Sequence, residues 1–394
     1  MKEGKEHLNN REGNGQATNR ISDSSKETAL PGMLLIAVLL LTACGGTIPV
    51  SPDNSGKTGV VPKTPFMLIP ATVTSIPVTA INTPAFTPSP KPTETSTPTI
   101  TPTPDPYAAL SIDALSARSY GGGQVEIRQE LSANAYFTRT LITYPSDGLN
   151  IYGFMDVPKR GTPPYPVVIA IHGYIDPGIY NTLDYTTHYA DSLAQAGFLV
   201  LHPNLRDYPP SDNGDNLFRV GMAVDVLNLI AIVKETGGQP GTLKLADPRA
   251  IGLWGHSMGG GIATRVITVN SDVRAAVLYA PMSSDEKQNF EAINQWSGGT
   301  RGSAELAVPE NELPRISPIY YLDRIQAAVS INHGLSDQLV PLSWSLDLCS
   351  KLQDLGKTVE CYTYKGEPHT FYGDGDVLFV QRTIEFFNRY LRNP

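Results

Sequence analysis

The sequence is poor in cysteine, in charge and in long apolar runs. Its 394 residues include 3 cysteines, and charged side chains make up 17% of the chain. The net charge is −8 and the mature part of the chain has no basic clusters, so a nucleic-acid partner has no electrostatic support. Histidine and acidic residues do not recur at metal-ligand spacing, and therefore neither a metal site nor a cofactor is predicted.

The short apolar run at residues 33–43, MLLIAVLLLTA, cannot cross a bilayer as a helix. Its length is typical of the hydrophobic region of a signal peptide, and it ends directly at Cys44. The sequence LTAC at 41–44 resembles the lipobox of bacterial lipoproteins, which implies lipidation of Cys44. Residues 1–44 are thus expected to be a lipoprotein signal peptide, giving an extracytoplasmic protein anchored to the cell membrane by lipid. An uncleaved anchor and a start codon downstream of Met1 stay open as alternatives.

Residues 45–106 hold more than a third of the chain's 33 prolines, set among threonine and serine. Such a segment cannot bury enough apolar surface to fold. We expect a disordered linker that tethers a folded domain at a distance from the membrane. The two remaining cysteines, Cys349 and Cys361, could pair in an exported protein, and two buried free thiols are an equal alternative.

Residues 107–394 are expected to form one α/β catalytic domain. Three alternating segments at 125–131, 136–144 and 150–157 predict antiparallel strands. Continuously apolar strands then alternate with helices, which predicts a mostly parallel, doubly wound sheet. The polar, glycine-rich residues 283–318 interrupt this alternation and could form a small cap or lid. Ligands of such sheets bind at the carboxyl ends of the strands.

The clearest functional signal is GHSMG at residues 255–259, between a buried strand and a helix. This is the context that G-x-S-x-G needs to act as a nucleophile elbow, which exposes the serine hydroxyl at a tight reversal. Ser257 is therefore the candidate nucleophile. Asp337 and His369 follow later strands, and the order Ser–acid–His is the one that α/β-hydrolases use. His369 would act as general base, and Asp337 would orient it.

Several other residues are candidates for the same roles. His333 is a rival base on the loop of the acid, whereas Asp347 and Asp354 are rival acids on a predicted helix. Backbone N–H groups of Met258 and Tyr174 are the candidate oxyanion donors, with the Tyr174 hydroxyl as an alternative. Candidate pocket residues are His172, His256 and Arg206, although a salt bridge of Arg206 with Asp207 or Asp225 is the stronger interpretation.

Four segments together resemble the catalytic domain of the prolyl oligopeptidase family. They are residues 247–260, 317–324 (SPIYYLDR), 333–341 (HGLSDQLVP) and 364–371. The resemblance spans roughly residues 140–394 and implies an α/β-hydrolase fold, with Ser257, Asp337 and His369 working through an acyl-enzyme. The sequence departs from the family at Tyr174, where a second glycine is usual, and no segment is long enough for the β-propeller of the family peptidases.

The sequence therefore predicts a serine hydrolase that acts on a small-molecule ester or peptide substrate. A carboxylesterase on small or polymeric esters is the first alternative. A non-catalytic surface-binding module on a hydrolase fold is an alternative from another class, and the oligomeric state is left open.

Overall fold

The computed structural model describes residues 105–392, which contain one nine-stranded sheet. The strand order is β1-β2-β3-β5-β4-β6-β7-β8-β9. The first three strands pair in antiparallel fashion and join β5, also antiparallel, whereas all pairs from β5 and β4 to β9 are parallel. The strands are β1 Glu126–Ala133, β2 Phe137–Ser146, β3 Leu149–Pro158, β4 Tyr165–Ile171, β5 Leu199–Pro203, β6 Ala246–His256, β7 Val273–Tyr279, β8 Ala328–Gly334 and β9 Val359–Tyr364.

Helices cover both faces of the parallel part of the sheet. They are α1 Ile112–Ala117, α2 Thr187–Gln195, α3 Val220–Thr236, α4 Met258–Val269, α5 Glu286–Trp296, α6 Ser303–Leu306, α7 Leu313–Ile316, α8 Leu342–Asp354 and α9 Gly373–Phe387. Short 3₁₀ turns and a final π turn, Asn388–Arg392, complete the described chain.

The central strands are apolar on both faces because helices bury both faces. Every residue of β4, β5 and β8 is buried, and one face packs against α3, α4 and α8 in a large aliphatic cluster. The opposite face holds a second cluster rich in aromatic rings, including Trp254, Tyr279 and Phe379. Edge strand β1 is exposed along nearly all of its length. The mostly parallel, doubly wound sheet predicted from the sequence is confirmed.

The insertion at residues 283–318 is helical and contains α5, α6 and α7. Its base is tied to the helix that follows Ser257, because the carboxylate of Glu286 forms ion pairs with Arg265 on α4 and with Arg219. Phe290, Val308 and Leu313 add a small apolar cluster against α1 and the start of α3. These buried anchors make the base of the insertion a fixed part of the domain.

Cys349 on α8 and Cys361 on β9 form a disulfide, which decides between the two alternatives for these cysteines. Of the helices within residues 105–392, none combines the length and the apolar character that crossing a bilayer requires. The predicted signal peptide, its Cys44 and the linker at 45–106 lie outside the described residues, apart from the linker's last two positions.

Candidate active site

Ser257 lies at a sharp turn between β6 and α4, at the carboxyl end of a central strand. Its backbone has φ 54° and ψ −116°, a conformation that L residues rarely adopt. Neighbouring backbone leaves no room for side chains at the flanking glycines: a Cβ on Gly259 would lie 2.2 Å from the Ile171 carbonyl oxygen, and one on Gly255 would lie 2.3 Å from the Gly259 oxygen. The predicted elbow geometry is therefore present at this turn.

The loop that follows β4 packs directly against this turn. A Cβ added to Gly173 would lie 3.2 Å from Ser257 Cβ, so the two backbones are in close contact. Next in the chain is Tyr174, whose N–H makes no hydrogen bond within residues 105–392; the same holds for the N–H of Met258, the first residue of α4. Two unpaired N–H groups beside a serine, one of them at a helix start, are suited to stabilising an oxyanion.

Asp337 and His369 meet on the loops after β8 and β9. His369 Nδ1 lies 2.8 Å from Asp337 Oδ2. The other carboxylate oxygen, Oδ1, accepts hydrogen bonds from the N–H groups of Leu339 and Val340 at 2.8 and 3.0 Å. Among the hydrogen bonds of residues 105–392, none joins the Ser257 hydroxyl to the His369 ring. Catalytic hydrogen bonds are often long before substrate binds, so this geometry leaves the role of His369 as a proposal.

A second imidazole, that of His333, lies against the same oxygen of Asp337 as His369 does. Its Nε2 is 3.2 Å from Asp337 Oδ2, and its Nδ1 is 2.7 Å from the Ser345 hydroxyl. The ring is buried, which removes it as a rival base. Burial by itself would raise the pKa of Asp337, but hydrogen bonds from His333 and His369 outweigh it and hold that pKa well below its usual range. The sequence analysis expected His333 on the loop of the acid, whereas it is a residue of strand β8, and no sequence signal indicated its contact with Asp337.

The three residues expected to line the substrate pocket, His172, His256 and Arg206, have buried side chains whose polar atoms bond to other residues of the domain. His172 Nδ1 and Nε2 contact the carbonyl oxygens of Gly173 and Asn204 at 2.7 and 2.8 Å. His256 bonds Tyr185 and the His369 carbonyl. All four ring nitrogens of these two histidines contact other groups of the protein, so neither side chain presents a polar atom to a substrate.

Arg206 corrects the third pocket prediction. Its guanidinium is buried and pairs with Asp225, Nη2 to Oδ1 at 2.8 Å, and it donates a further bond to the Asp215 carbonyl. A paired, buried guanidinium cannot bind a substrate carboxylate without losing these bonds. The salt bridge that the sequence analysis favoured is the one observed.

The insertion reaches the loop after β4 through Arg301. Its guanidinium carbon lies 4.6 Å from the centre of the Tyr174 ring, and Nη2 lies 3.2 Å from Asp176 Oδ2. On another side, half-exposed Trp296 at the end of α5 packs against Trp344 of α8, with ring centres 6.2 Å apart. The insertion therefore contacts segments that follow both β4 and β8, which fits a wall or cap beside the serine.

No group of three or more histidine, cysteine, aspartate or glutamate side chains in residues 105–392 is arranged to hold a metal ion. The chemistry available at this edge of the sheet is that of a hydroxyl, an imidazole, a carboxylate and backbone N–H groups. A serine on an elbow, with an Asp–His pair on later loops of a mostly parallel sheet, defines the α/β-hydrolase class of fold.

Comparison with known proteins supports this class. The model of the prolyl oligopeptidase family matches residues 223–394, which is less than half of the chain, and supports a hydrolase. No curated protein matched the sequence.

Several solved structures share the fold. An acylaminoacyl peptidase from Pyrococcus horikoshii aligns at 22% identity with a TM-score of 0.54, over 66% of this chain and 43% of its own. Acetyl xylan esterase 1 from a Thermoanaerobacterium species aligns at 18% identity with a TM-score of 0.51, over 67% of this chain and 88% of its own. An acetyl xylan esterase from a Paenibacillus species aligns at 17% identity with a TM-score of 0.52, over 71% and 92%. The chain thus spans under half the length of that peptidase, and likeness at these identities shows the fold alone.

Proposed function

We propose that this chain is a serine hydrolase that cleaves carboxylic ester or peptide bonds through an acyl-enzyme. One observation carries the proposal: Ser257 lies on a strained elbow against the Gly173 backbone, and the sheet that bears it also brings Asp337 and His369 into hydrogen-bond contact. The family match over residues 223–394 includes all three proposed catalytic residues and supports the same conclusion.

The Asp337–His369 contact gives each group a chemical role. An ionised carboxylate can only accept, so the proton shared with Asp337 belongs to His369 Nδ1, and Nε2 keeps its lone pair. In the proposed mechanism Nε2 takes the proton of the Ser257 hydroxyl as Oγ attacks the substrate carbonyl carbon. His369 then returns that proton to the leaving group, and water releases the acyl group by the same steps in reverse order.

The charge that develops on the carbonyl oxygen would be stabilised by the N–H groups of Met258 and Tyr174. Removing one such donor in other serine hydrolases costs about 3 kcal/mol of transition-state stabilisation. Both groups are backbone donors, and therefore the oxyanion site needs no side chain from either residue.

A carboxylesterase is the second candidate, and the shares of chain covered by the comparisons favour it. The two acetyl xylan esterases align over 88% and 92% of their own length, against 43% for the acylaminoacyl peptidase. The family match favours a peptidase instead. Ester and peptide substrates are therefore kept together in the proposal.

The test is a rate comparison on p-nitrophenyl esters of graded acyl length and on aminoacyl and prolyl nitroanilides. We expect wild-type turnover of at least one series and its loss in Ser257→Ala and His369→Ala, with the fold retained because neither side chain packs in the core. Turnover of the esters alone would identify a carboxylesterase, and rapid cleavage of the nitroanilides would identify a peptidase. Full turnover in Ser257→Ala would contradict the proposal.

A further inference from the structure

We propose that Tyr185 and His256 are positioning residues that join the loop after β4 to the loop of the general base. The inference rests on the proposed function, because it concerns how the oxyanion donor and the base are held relative to each other. Three hydrogen bonds form the connection. Gly173 N–H bonds the Tyr185 hydroxyl at 2.9 Å, that hydroxyl bonds His256 Nδ1 at 2.8 Å, and His256 Nε2 bonds the His369 carbonyl oxygen at 2.9 Å.

Only one direction of donation satisfies all three bonds. The His369 carbonyl oxygen can only accept, so His256 Nε2 carries the ring proton. Nδ1 of the neutral ring must then accept, and the Tyr185 hydroxyl donates to it. The oxygen of that hydroxyl in turn accepts from Gly173 N–H. Every donor has one acceptor, and therefore the chain has a fixed polarity.

Protonation does not break this chain during the reaction. Burial, together with the neighbouring His369, lowers the pKa of His256 to about 3, and burial raises the pKa of Tyr185 above its usual range. Both side chains therefore stay neutral while His369 gains and loses its proton. Across the ring faces, His256 lies 4.2 Å from Tyr279 and 4.6 Å from His369 between ring centres, which holds the imidazole in one orientation.

The three hydrogen bonds constrain the residue next to the proposed oxyanion donor, Tyr174 N–H. The carbonyl of Gly173 and the N–H of Tyr174 belong to the same peptide plane. His172 Nδ1 lies 2.7 Å from that carbonyl oxygen, while the Tyr185 hydroxyl accepts from the Gly173 N–H on the other side of the same residue. A Cβ on Gly173 would lie 2.5 Å from the Tyr185 oxygen, so the hydroxyl packs directly against the Gly173 backbone. Removing the hydroxyl should let this peptide rotate away from Ser257.

The test compares Tyr185→Phe with Tyr144→Phe in the full chain. Tyr144 is more deeply buried than the partly exposed Tyr185, donates its hydroxyl to the Asp225 carbonyl and lies on β2, so its variant loses a tyrosine hydrogen bond outside the site. We expect kcat of Tyr185→Phe to fall about 10-fold to 100-fold with little change in KM, because a small misplacement of a catalytic group has effects of this size. Tyr144→Phe should keep wild-type kcat with a similar change in melting temperature.

His256 variants separate the two halves of the chain. His256→Gln can keep a donor for the His369 carbonyl and loses the acceptor for Tyr185, whereas His256→Ala loses both bonds. We expect kcat in the order wild type, His256→Gln, His256→Ala. The double variant Tyr185→Phe/His256→Gln should be no slower than the worse single variant by more than about twofold, because both break one connection. If the losses of kcat in the two single variants were fully additive in the double variant, the inference that Tyr185 and His256 act through one connection would be wrong.

A spectroscopic measurement tests the chain without reference to activity. Nitrogen-15 NMR of the imidazoles at pH 7 should show His256 protonated at Nε2 and unprotonated at Nδ1, with the Nδ1 signal shifted in Tyr185→Phe and unchanged in Tyr144→Phe. The opposite tautomer would overturn the inference. Wild-type turnover with equal kcat in Tyr185→Phe and Tyr144→Phe would overturn the positioning role alone. Absence of wild-type turnover on every ester and anilide would instead remove the proposed function, and the positioning role with it.

Discussion

At the scale of single residues, the carboxylate of Asp337 is more completely engaged than its place in a loop suggests. It accepts from two imidazoles and two backbone N–H groups, so each oxygen has a fixed assignment and Oδ2 faces His369. Its place after a strand, its order between Ser257 and His369, and the family resemblance of residues 333–341 all indicated Asp337 as the acid. No feature of the sequence indicated its contact with His333.

Asp337→Asn should lower kcat on the order of 10⁴-fold, less than the roughly 10⁶-fold expected for Ser257→Ala. The asparagine amide can donate to His369 Nδ1, which would move the ring proton to Nε2 and leave no lone pair for the serine proton. Steady-state kinetics on the best ester or anilide substrate measures this. Asp347→Asn on the exposed face of α8 is the matched control and should keep wild-type kcat. Equal kcat values for the two variants would contradict the assignment of Asp337 as the acid that orients His369.

The buried imidazole of His256 also predicts how stability depends on pH. Its pKa is about 3 in the folded chain and about 6.5 in an unfolded chain. Between these values the unfolded state binds a proton that the native state does not. The stabilisation linked to the neutral His256 ring is therefore fully present above pH 6.5. Below that pH, the free energy of unfolding falls by about 1.4 kcal/mol per pH unit as the pH decreases toward 3. Denaturant titrations at pH 4, 5, 6 and 7 should show a shallower pH dependence in His256→Gln than in wild type. Parallel curves would contradict the assignment.

At the scale of elements, the strands and their order of appearance could be predicted well. The alternating segments at 125–131, 136–144 and 150–157 correspond to β1, β2 and β3 within a few residues, and the predicted alternation of apolar strands with helices is observed from β4 to β9. Apolar runs and turn signals define such elements locally. The sequence could not predict contacts between distant segments: the inward-facing rings of His172 and His256 and the hydrogen bonds of the Tyr185 hydroxyl all depend on tertiary packing.

The insertion at residues 283–318 differs more from its sequence-based prediction than any other element does. A polar, glycine-rich composition predicted a cap or lid, yet the buried carboxylate of Glu286 pairs with two arginines and fixes its base. Arg301 then contacts Tyr174 and Asp176 beside the serine. These contacts indicate a wall with an anchored base.

Glu286→Gln should lower the free energy of unfolding by about 3 kcal/mol, because it leaves Arg265 buried without its charged partner. Glu310→Gln removes an exposed pair with Lys287 in the same insertion and should leave stability unchanged. Urea unfolding of both variants measures the difference. Equal stability would mean that the buried pair does not anchor the insertion.

At the scale of the whole molecule, an anchored hydrolase with an extended tether is the proposed organisation. The disulfide between Cys349 and Cys361 is consistent with export to an oxidising compartment. The signal peptide, the lipidated Cys44 and the linker lie outside the described residues, so the anchor stays a prediction from the sequence. The composition of the linker predicts a tether, but it does not indicate which substrate the catalytic domain binds.

Cys44→Ser should release the protein from membranes into the soluble fraction while leaving hydrolase activity unchanged. Fractionation of cells that express either form, with the fractions assayed on the same substrate, measures this. The wild type should also incorporate a radiolabelled fatty acid that the variant does not. Membrane retention of Cys44→Ser would assign the anchor to another segment.

The central claim is that Ser257 is an activated nucleophile, and covalent labelling with a fluorophosphonate probe tests it most directly. The account predicts that the folded protein is labelled once, that peptide mass spectrometry places the adduct on Ser257, and that Ser257→Ala is not labelled. It also predicts that His369→Ala reacts far more slowly, because the base is missing. A folded wild-type protein that resists the probe, or an adduct on another serine, would contradict the account and favour a surface-binding module on a hydrolase fold.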